Sequence, residues 1–325
     1  MQSGLADSVA SFASVLERCY GIGGAKCEPV PGGWSALAIR AVAPGGAYFL
    51  KVYDKRRAAT ARYAARLESY LGFVTRLAGA TPLRAALPRP LRALSGRFGA
   101  EDANYIYALF EYIEGVSVGE APLADAEARQ LGRLLALLHL QGTRLLPEDV
   151  PREDFSLPYA DRLPGLVREA LRASDATEES ARFADMLARF MERTGERAAA
   201  FGGADLPFVA CHTDMHGHNL MRTEKGLTLL DWEGLKAAPA EADLFMLPGW
   251  PRDARILGAY QECRPGFRTL CPLMWWYADR RILEDMGELA EQLLHDGQEG
   301  EERRNTAALL LAECDKIRAV MLRPG

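Results

Sequence analysis

The chain has 325 residues, of which 49% are hydrophobic and 26% charged, and its formal net charge is −5 at pH 7. This length and composition predict a soluble globular protein large enough for two lobes. The acidic balance provides no basic surface for nucleic acid. The N-terminal residues lack the basic region of a signal peptide, and no apolar run approaches the length of a membrane span. We therefore expect a cytoplasmic protein that binds neither nucleic acid nor membrane.

A glycine-containing turn is the first candidate for nucleotide binding. Gly32, Gly33 and Ser35 lie between two short β-like runs. Glycine lets backbone amides approach the phosphates of a ligand closely, so we assign these three residues to a nucleotide site. The G-x-x-x-x-G-K-[ST] pattern does not occur in the chain, and a P-loop mechanism therefore has no support.

A single lysine interrupts the next apolar run. Residues 47–53 predict a strand, and Lys51 lies inside it. Burying an ammonium group is costly unless an anion pairs with it. The helical stretch at about residues 58–77 contains one acidic residue, Glu68, which we predict to be the partner that aims Lys51 at the nucleotide phosphates. The alternative is that Glu68 is a surface glutamate.

A hinge between two lobes is predicted where the apolar run 105–110 ends in a polar turn. Adenine needs one backbone acceptor and one backbone donor at such a hinge. We assign these to the carbonyl of Glu111 and the amide of Ile113. Residues 1–113 would then form the nucleotide-binding lobe with its hinge, and residues 114–325 the catalytic and substrate-binding lobe.

Two strand ends in the second lobe deliver oxygen-bearing side chains. His212, Asp214 and Asn219 form the pattern H-x-D-x-x-x-x-N after one apolar run, and Asp231 follows the next. Phosphoryl transfer needs a carboxylate that accepts the proton of the acceptor hydroxyl, and oxygen ligands that hold Mg2+ against the phosphates. Asp214 fits the first role, and Asn219 and Asp231 fit the second.

A zinc site is the alternative for the same segment. His212, His216 and His218 would have to share a metal, as an i, i+4 pair does on one helical face. The preceding strand and Gly217 argue against a helix here. The chain also has no H-E-x-x-H or C-x-x-C spacing. We therefore favour phosphoryl transfer, with His216 as a residue that stabilises the loop.

In their order along the chain, these motifs resemble the aminoglycoside phosphotransferase and choline kinase family, which shares the bilobal α+β fold of protein kinases. The resemblance rests on Gly32-Gly33-x-Ser35, Phe49-x-Lys51, the E-Y-I-E-G run at 111–115, L-G-x-x-L-x-x-L-H at 131–139, H-x-D-x-x-x-x-N at 212–219 and D-W-E at 231–233. It implies a small antiparallel β N-lobe, a larger mostly helical C-lobe, and ATP with Mg2+ as cofactors. GTP is an open alternative to ATP.

Further roles follow from the resemblance. Asp243 matches an aspartate that braces the catalytic loop, and His139 is expected to be a satisfied core histidine. Within the family, the C-H-T-D, D-W-E and R-I-L-E-D-M segments resemble the subgroup that phosphorylates spectinomycin. One departure is His218, where the family usually has glycine. His218 either accommodates a positive φ or reaches the substrate.

The acceptor is expected in the helical part of the second lobe, at about residues 146–204 and 251–325, while about 114–145 and 205–250 form the catalytic core. A cationic small molecule would need carboxylates or aromatic faces around it. In the helix predicted after residue 272, Ile282, Met286, Leu289 and Leu293 form an apolar face. The candidate acceptor residues are Asp279 and Asp285 on or beside that face, Glu284 opposite it, Trp250 and Trp276, which could instead be core, and His218.

Three functions stay open. The first is O-phosphorylation of an aminoglycoside or aminocyclitol antibiotic such as spectinomycin, which would confer resistance. The second is a metabolic kinase of the same fold for choline, thiamine, methylthioribose or an amino alcohol. The third, a catalytically silent nucleotide-binding protein, is disfavoured because the chain has every expected active-site residue. The acceptor, its reacting hydroxyl, the nucleotide preference and the choice between monomer and homodimer are left open.

Overall fold

The computed structural model describes residues 2–30, 36–57, 60–174, 177–249 and 254–322. The chain packs into two compact units, each built from two segments. Unit 1 comprises Met1–Pro151 and Val209–Arg268, and unit 2 comprises Arg152–Phe208 and Thr269–Gly325. Among the described helices, none combines the length and the apolar composition needed to cross a bilayer.

Strands and helices are interspersed along the chain as far as Pro239, and the described elements after that residue are all helices. The strands are β1 (Lys26–Pro29), β2 (Leu37–Ala43), β3 (Gly46–Asp54), β4 (Pro90–Leu91), β5 (Gly99–Glu101), β6 (Tyr105–Glu111), β7 (Val116–Ser117), β8 (Phe208–Cys211), β9 (Leu220–Thr223), β10 (Gly226–Leu229) and β11 (Lys236–Pro239). The α-helices are α1 (Gln2–Tyr20), α2 (Thr60–Ala64), α3 (Leu67–Ala80), α4 (Asp125–Gln141), α5 (Leu163–Arg172), α6 (Thr177–Gly202), α7 (Glu241–Leu244), α8 (Arg255–Cys263), α9 (Cys271–His295) and α10 (Gly300–Met321).

An antiparallel sheet with the order β1-β2-β3-β6-β4 forms the N-terminal part of unit 1, and β5 also pairs with β6. The register places Lys51 of β3 between Ala38 of β2 and Ala108 of β6. Successive side chains of a strand point to opposite faces. Lys51 therefore lies on the face opposite to Leu50 and Val52.

The Leu50 and Val52 face of this sheet is covered by α1. Phe12, Val15 and Leu16 of that helix are buried in one apolar cluster with both strand residues. Burying apolar area at roughly 25 cal/mol per Å² is the main stabilising contribution to such a contact. The sheet face with Leu50 and Val52 thus packs into the core, and Lys51 lies on the opposite face.

The second segment of unit 1 provides two small sheets, β10-β9-β7 and β11-β8. They support the loop between β8 and β9 and the turn after β10. Helix α4 packs closely against α8, because Gly132 leaves room for the α8 backbone. A Cβ atom at Gly132 would lie 2.8 Å from the amide nitrogen of Tyr260 and even closer to the carbonyl oxygen of Ile256.

Unit 2 is helical in its described part. Helices α5, α6, α9 and α10 surround one apolar cluster, which contains the whole predicted face of α9: Ile282, Met286, Leu289 and Leu293. That prediction is confirmed. The α+β class is confirmed as well, since an antiparallel sheet dominates the N-terminal part and helices dominate the C-terminal part.

Candidate active site

Asp214 and Asn219 lie together in the loop that follows β8. The side-chain amide of Asn219 donates to Oδ2 of Asp214 at 2.8 Å and to the Asp214 carbonyl at 2.9 Å. Because its nitrogen makes these bonds, the carbonyl oxygen of Asn219 is the atom that would bind a hard cation. The loop thus brings the Asp214 carboxylate and the Asn219 side-chain amide together, as the sequence pattern predicts.

His216 stabilises this loop, in agreement with the expectation from sequence. Its Nδ1 accepts a hydrogen bond from the backbone amide of His218 at 3.2 Å, and its Nε2 lies 3.5 Å from Oδ2 of Asp214. With Nδ1 acting as an acceptor, a neutral ring carries its proton on Nε2, facing the carboxylate. The imidazole therefore restrains the orientation of Asp214.

Asp243 braces the start of the same loop. Its carboxylate accepts from the backbone amides of His212 at 3.1 Å and Thr213 at 2.6 Å, and is 2.9 Å from Nε2 of His139. Nδ1 of His139 lies 2.7 Å from the hydroxyl of Tyr260. Asp243 and His139 are both buried, so these bonds satisfy groups that water cannot reach. The expectation of a satisfied core histidine at position 139 is confirmed.

The histidines of the loop do not assemble a metal site. Both ring nitrogens of His212 are engaged, with Leu230 O at 2.6 Å from Nε2 and the Asp214 amide at 3.3 Å from Nδ1. Within the described residues, the only group of three potential metal ligands close together is His139, Cys211 and Asp243. His139 already uses both of its nitrogens in the brace, so the structure lends zinc no support.

Two backbone positions near the site are strained. Thr213 has φ of 66° and Asp231 has φ of 59°, a left-handed conformation that costs a β-branched residue the most. The Thr213 hydroxyl donates to the carbonyl of Gly234 at 2.8 Å, which helps to hold the conformation. His218 is not among the positive-φ residues, so the explanation that it tolerates such a φ is wrong. Its exposed ring lies 3.3 Å from Glu120 instead.

The turn that carries Asp231 is fixed by a buried tryptophan. The next residue, Trp232, is fully buried, donates from Nε1 to the carbonyl of Leu229 at 3.1 Å and packs its ring 4.7 Å from that of His212. The ring of Phe73 on α3 packs against the same indole, with 6.0 Å between the ring centroids. The tryptophan of the D-W-E motif therefore links the Asp231 turn to the catalytic loop.

Lys51 forms ion pairs with two carboxylates of this turn. Its Nζ lies 2.9 and 3.1 Å from the two carboxylate oxygens of Asp231 and 2.5 Å from Oε1 of Glu233. Burial lowers the pKa of Lys51, but the negative charges of Asp231 and Glu233 outweigh it and hold that pKa well above its ordinary value. Lys51 is thus a permanent cation beside a carboxylate predicted to bind metal.

Glu233 is a site residue that the sequence analysis passed over. Its carboxylate also accepts a short hydrogen bond from the hydroxyl of Tyr53, which lies 3.3 Å from the hydroxyl of Tyr70. Burial and the charge of Asp231 raise the pKa of Glu233, while Lys51 lowers it. The signal was present in the D-W-E motif, because two carboxylates two residues apart after a strand can both reach one buried lysine.

The predicted pair between Lys51 and Glu68 is wrong in this structure. The Glu68 carboxylate accepts from the backbone amide of Gly99 at 2.8 Å and lies 3.7 Å from Nε of Arg97. Glu68 and Tyr70 lie roughly 200° apart around the axis of α3, at about 100° per residue. Because Tyr70 faces the Lys51 network, Glu68 points the other way.

Of the other residues predicted to bind the nucleotide, the structure describes only some. Gly32, Gly33 and Ser35 lie outside the described residues. Glu111 ends β6, and its side chain is 3.0 Å from Arg89. Ile113 lies two residues further along the chain, and its backbone amide has no hydrogen-bond partner among the described residues.

Two phenylalanines lie on the Lys51 face of the sheet. Phe49 and Phe110 are directly paired across β3 and β6, and their ring centroids are 6.3 Å apart. Both side chains are only partly buried. They form a partly exposed apolar surface, two residues along β3 from the lysine.

Two predicted acceptor residues are unsuited to that role. Trp276 is fully buried, with Nε1 donating to the carbonyl of Thr194 at 3.1 Å, so its face cannot be the wall of a cation site. Asp279 is 4% exposed and lies 2.9 Å from Arg197 and 3.4 Å from Arg193. Two arginines already neutralise it. The acceptor role is wrong for both because they belong to the interior of unit 2, and the favoured alternative, that Trp276 is a core residue, is confirmed.

The other acceptor candidates are paired or undescribed. Glu284 lies 3.0 Å from Arg280, and Asp285 lies 2.7 Å from Arg281, each one helical turn away on α9. Both carboxylates are about one third exposed, at 35% and 29%. Trp250 lies outside the described residues. Of the candidates, Glu284, Asp285 and His218 are the ones that the structure places within reach of solvent.

Comparison with known proteins places the chain in one enzyme family. The model of the phosphotransferase enzyme family matches residues 26–273. "Protein StrN" of Streptomyces griseus is 28% identical over 206 residues, which cover 58% of this chain and 61% of that protein. The chain thus spans less than two thirds of the length of this curated relative.

Solved structures share the fold over nearly the whole chain. A spectinomycin phosphotransferase, determined with ADP and spectinomycin, superposes with a TM-score of 0.70 at 16% identity, covering 96% of this chain and 98% of that one. A microcompartment-associated aminopropanol kinase gives a TM-score of 0.68 at 15% identity, covering 96% and 97%. The kinase-like fold predicted from the motifs is confirmed.

Proposed function

Because the chain belongs to the phosphotransferase enzyme family, we propose that it transfers the γ-phosphoryl group of ATP to a hydroxyl of a small cationic molecule. The observation that carries this proposal is the position of Lys51 beside Asp231 at 2.9 Å, although the two residues are 180 positions apart in the chain. A permanent cation, a carboxylate and the Asp214–Asn219 pair are the groups that phosphoryl transfer requires.

Each residue has a separate chemical task in this proposal. Asp214 accepts the proton of the attacking hydroxyl, and its carboxylate is oriented by Asn219 and His216. Lys51 binds the phosphate oxygens and offsets their charge. The ring surface of Phe49 and Phe110 supports the base, while the Glu111 carbonyl and the Ile113 amide bind its edge. The lobe boundary at residue 113 stays a prediction.

The donor set suits magnesium. Asn219 offers an amide oxygen and Asp231 a carboxylate with 35% of its side chain exposed, and hard cations prefer such oxygen ligands. When bound, Mg2+ would neutralise charge on the transferred phosphoryl group. We infer that Asn219 and Asp231 are its protein ligands. The accompanying nucleotide is ATP, with GTP as the alternative.

The acceptor we propose first is an aminoglycoside or aminocyclitol antibiotic such as spectinomycin, which makes the protein a cytoplasmic resistance enzyme. The similarity of the C-H-T-D, D-W-E and R-I-L-E-D-M segments supports it, as does the fold shared with a spectinomycin phosphotransferase. A metabolic kinase for an amino alcohol is the second candidate. The nearly equal TM-score of the aminopropanol kinase favours keeping it.

A panel assay tests both candidates. The purified protein is incubated with ATP and Mg2+ and with spectinomycin, several aminoglycosides, choline, aminopropanol, thiamine or methylthioribose, and the product masses are recorded. A phosphate mass gain on an antibiotic, absent in Asp214→Asn, supports the first candidate. A gain on a metabolite alone supports the second. Absence of ADP formation and of any phosphorylated product across the panel would refute the proposed function.

A further inference from the structure

The anions that hold Lys51 both come from the D-W-E turn. Asp231 and Glu233 contact its Nζ, while α3 supplies no carboxylate to it. The two carboxylates differ in their surroundings. The Asp231 side chain is 35% exposed, whereas that of Glu233 is 7% exposed. A cation that enters from solvent would therefore meet Asp231, and Glu233 lies deeper.

Glu233 is itself held in place. Tyr53, two residues after Lys51 on β3, donates a hydrogen bond to the same Oε1 atom that contacts Lys51. Tyr53 is fully buried, and its hydroxyl lies 3.3 Å from that of Tyr70 on α3. A carboxylate with a cation and a buried phenol on one oxygen has little freedom to rotate away.

We propose that Glu233 is the positioning residue that aims Lys51 at the nucleotide phosphates, in place of Glu68. The inference rests on the proposed function. The Asp231 side chain is 35% exposed and is the expected Mg2+ ligand, whereas Glu233 is buried and held by Tyr53, so Glu233 contacts Lys51 whether or not a metal is bound. Glu233 then holds the Lys51 ammonium group in position at 2.5 Å. Helix α3 contributes through the Tyr70 hydroxyl instead of a carboxylate.

Binding of ADP by three variants tests the assignment without relying on turnover. Glu233→Gln removes the charge and keeps the shape, Tyr53→Phe removes only the supporting hydroxyl, and Glu68→Gln is the matched control. The dissociation constant for ADP is measured by calorimetry, once with Mg2+ and once with EDTA. Thermal unfolding checks that each variant is folded, and KM is determined separately for ATP and for the acceptor.

We expect Glu233→Gln to weaken ADP binding about tenfold, equivalent to about 1.4 kcal/mol, both with Mg2+ and with EDTA. KM for ATP should rise by a similar factor while KM for the acceptor stays unchanged. Tyr53→Phe should weaken ADP binding in both media by a smaller factor, because Glu233 keeps its charge. Glu68→Gln should bind ADP like the wild type.

Three results would overturn the proposal. A loss in Glu68→Gln without a loss in Glu233→Gln would return the role to α3. A loss in Glu233→Gln that appears only with Mg2+ would make Glu233 a metal ligand. Wild-type protein that binds no ADP would refute both the proposed function and this inference. ADP binding without any phosphorylated product would refute only the function, and the comparison of variants would stay valid.

Discussion

Asn219 donates its side-chain amide to Oδ2 of Asp214 at 2.8 Å, so the residue expected to bind metal also orients the expected base. A carboxylate that is oriented before the acceptor arrives needs less reorganisation during the reaction. Four residues lie between them in the chain, and the short turn at Gly217–Asn219 brings the two side chains together. The spacing of the H-x-D-x-x-x-x-N motif thus has a direct structural meaning.

Replacing the expected base should separate chemistry from binding. Asp214→Asn retains an oxygen that can accept from Asn219 but cannot take up a proton. We expect kcat to fall by a factor of about 10² to 10⁴, the usual contribution of general acid–base catalysis, with KM for ATP unchanged. Steady-state kinetics on the acceptor found in the panel measures this. Undiminished kcat would show that another group accepts the proton.

The strain at Thr213 can be measured with a matched pair. Thr213→Gly and Thr213→Ala both lose the hydrogen bond to Gly234, but only glycine adopts φ of 66° without a steric cost. We expect the glycine variant to be more stable than the alanine variant by about 1 kcal/mol. Urea unfolding gives both values. Equal stabilities would mean that the loop relaxes to another conformation.

The close approach of α4 and α8 depends on Gly132. Gly132→Ala would place Cβ 2.9 Å from that of Ala259 and against the α8 backbone, and we expect a loss of about 1–3 kcal/mol of stability from overpacking. Gly258→Ala on α8 is the control, since nothing lies within 4 Å of its Cβ position. That variant should gain roughly 0.5–1 kcal/mol from helix propensity. Changes of opposite sign in the free energy of unfolding, relative to the wild type, would confirm the contact.

Cys314 should make stability fall in alkaline solution. Burial raises the pKa of its thiol from 9.0 to about 12. Between these values the unfolded chain loses the thiol proton while the folded chain keeps it, so the free energy of unfolding decreases as pH rises. The contribution is about 1.4 kcal/mol per pH unit within this window and vanishes below it.

The difference in unfolding free energy between the wild type and Cys314→Ala isolates the contribution of this thiol from that of the tyrosines and lysines that titrate in the same range. We expect the stability difference between the two proteins to shrink as pH rises above 9.0. Cys271→Ala, at an exposed cysteine, should run parallel to the wild type. Parallel curves for Cys314→Ala would contradict the effect of burial.

The fold class and the catalytic loop could be predicted because their signals are local. The β8 run delivers His212 and Asp214 at a strand end, and the apolar period of α9 places Ile282 and Met286 in the core of unit 2. Such patterns need only the geometry of one strand or one helix. Hydrophobic periodicity and motif spacing therefore sufficed.

The partners of buried charges could not be predicted in the same way. Lys51 contacts residues 180 and 182 positions away, whereas the nearest acidic residue on α3, Glu68, faces Gly99. Asp279 looked available beside an apolar face, yet Arg193 and Arg197 of another helix neutralise it. Which ions meet depends on how helices and strands rotate and pack against one another.

By itself, the sequence determined which chemistry this protein carries: a carboxylate and an amide at fixed spacing, a second carboxylate after the next strand, and one lysine within an apolar strand. Only the tertiary structure decided that Glu233 and not Glu68 pairs with Lys51, and that Asp279 and Trp276 are interior residues. The reason is physical. Burying a charge is unfavourable unless a counter-ion is within a few ångströms, and that distance is a property of packing, not of position along the chain.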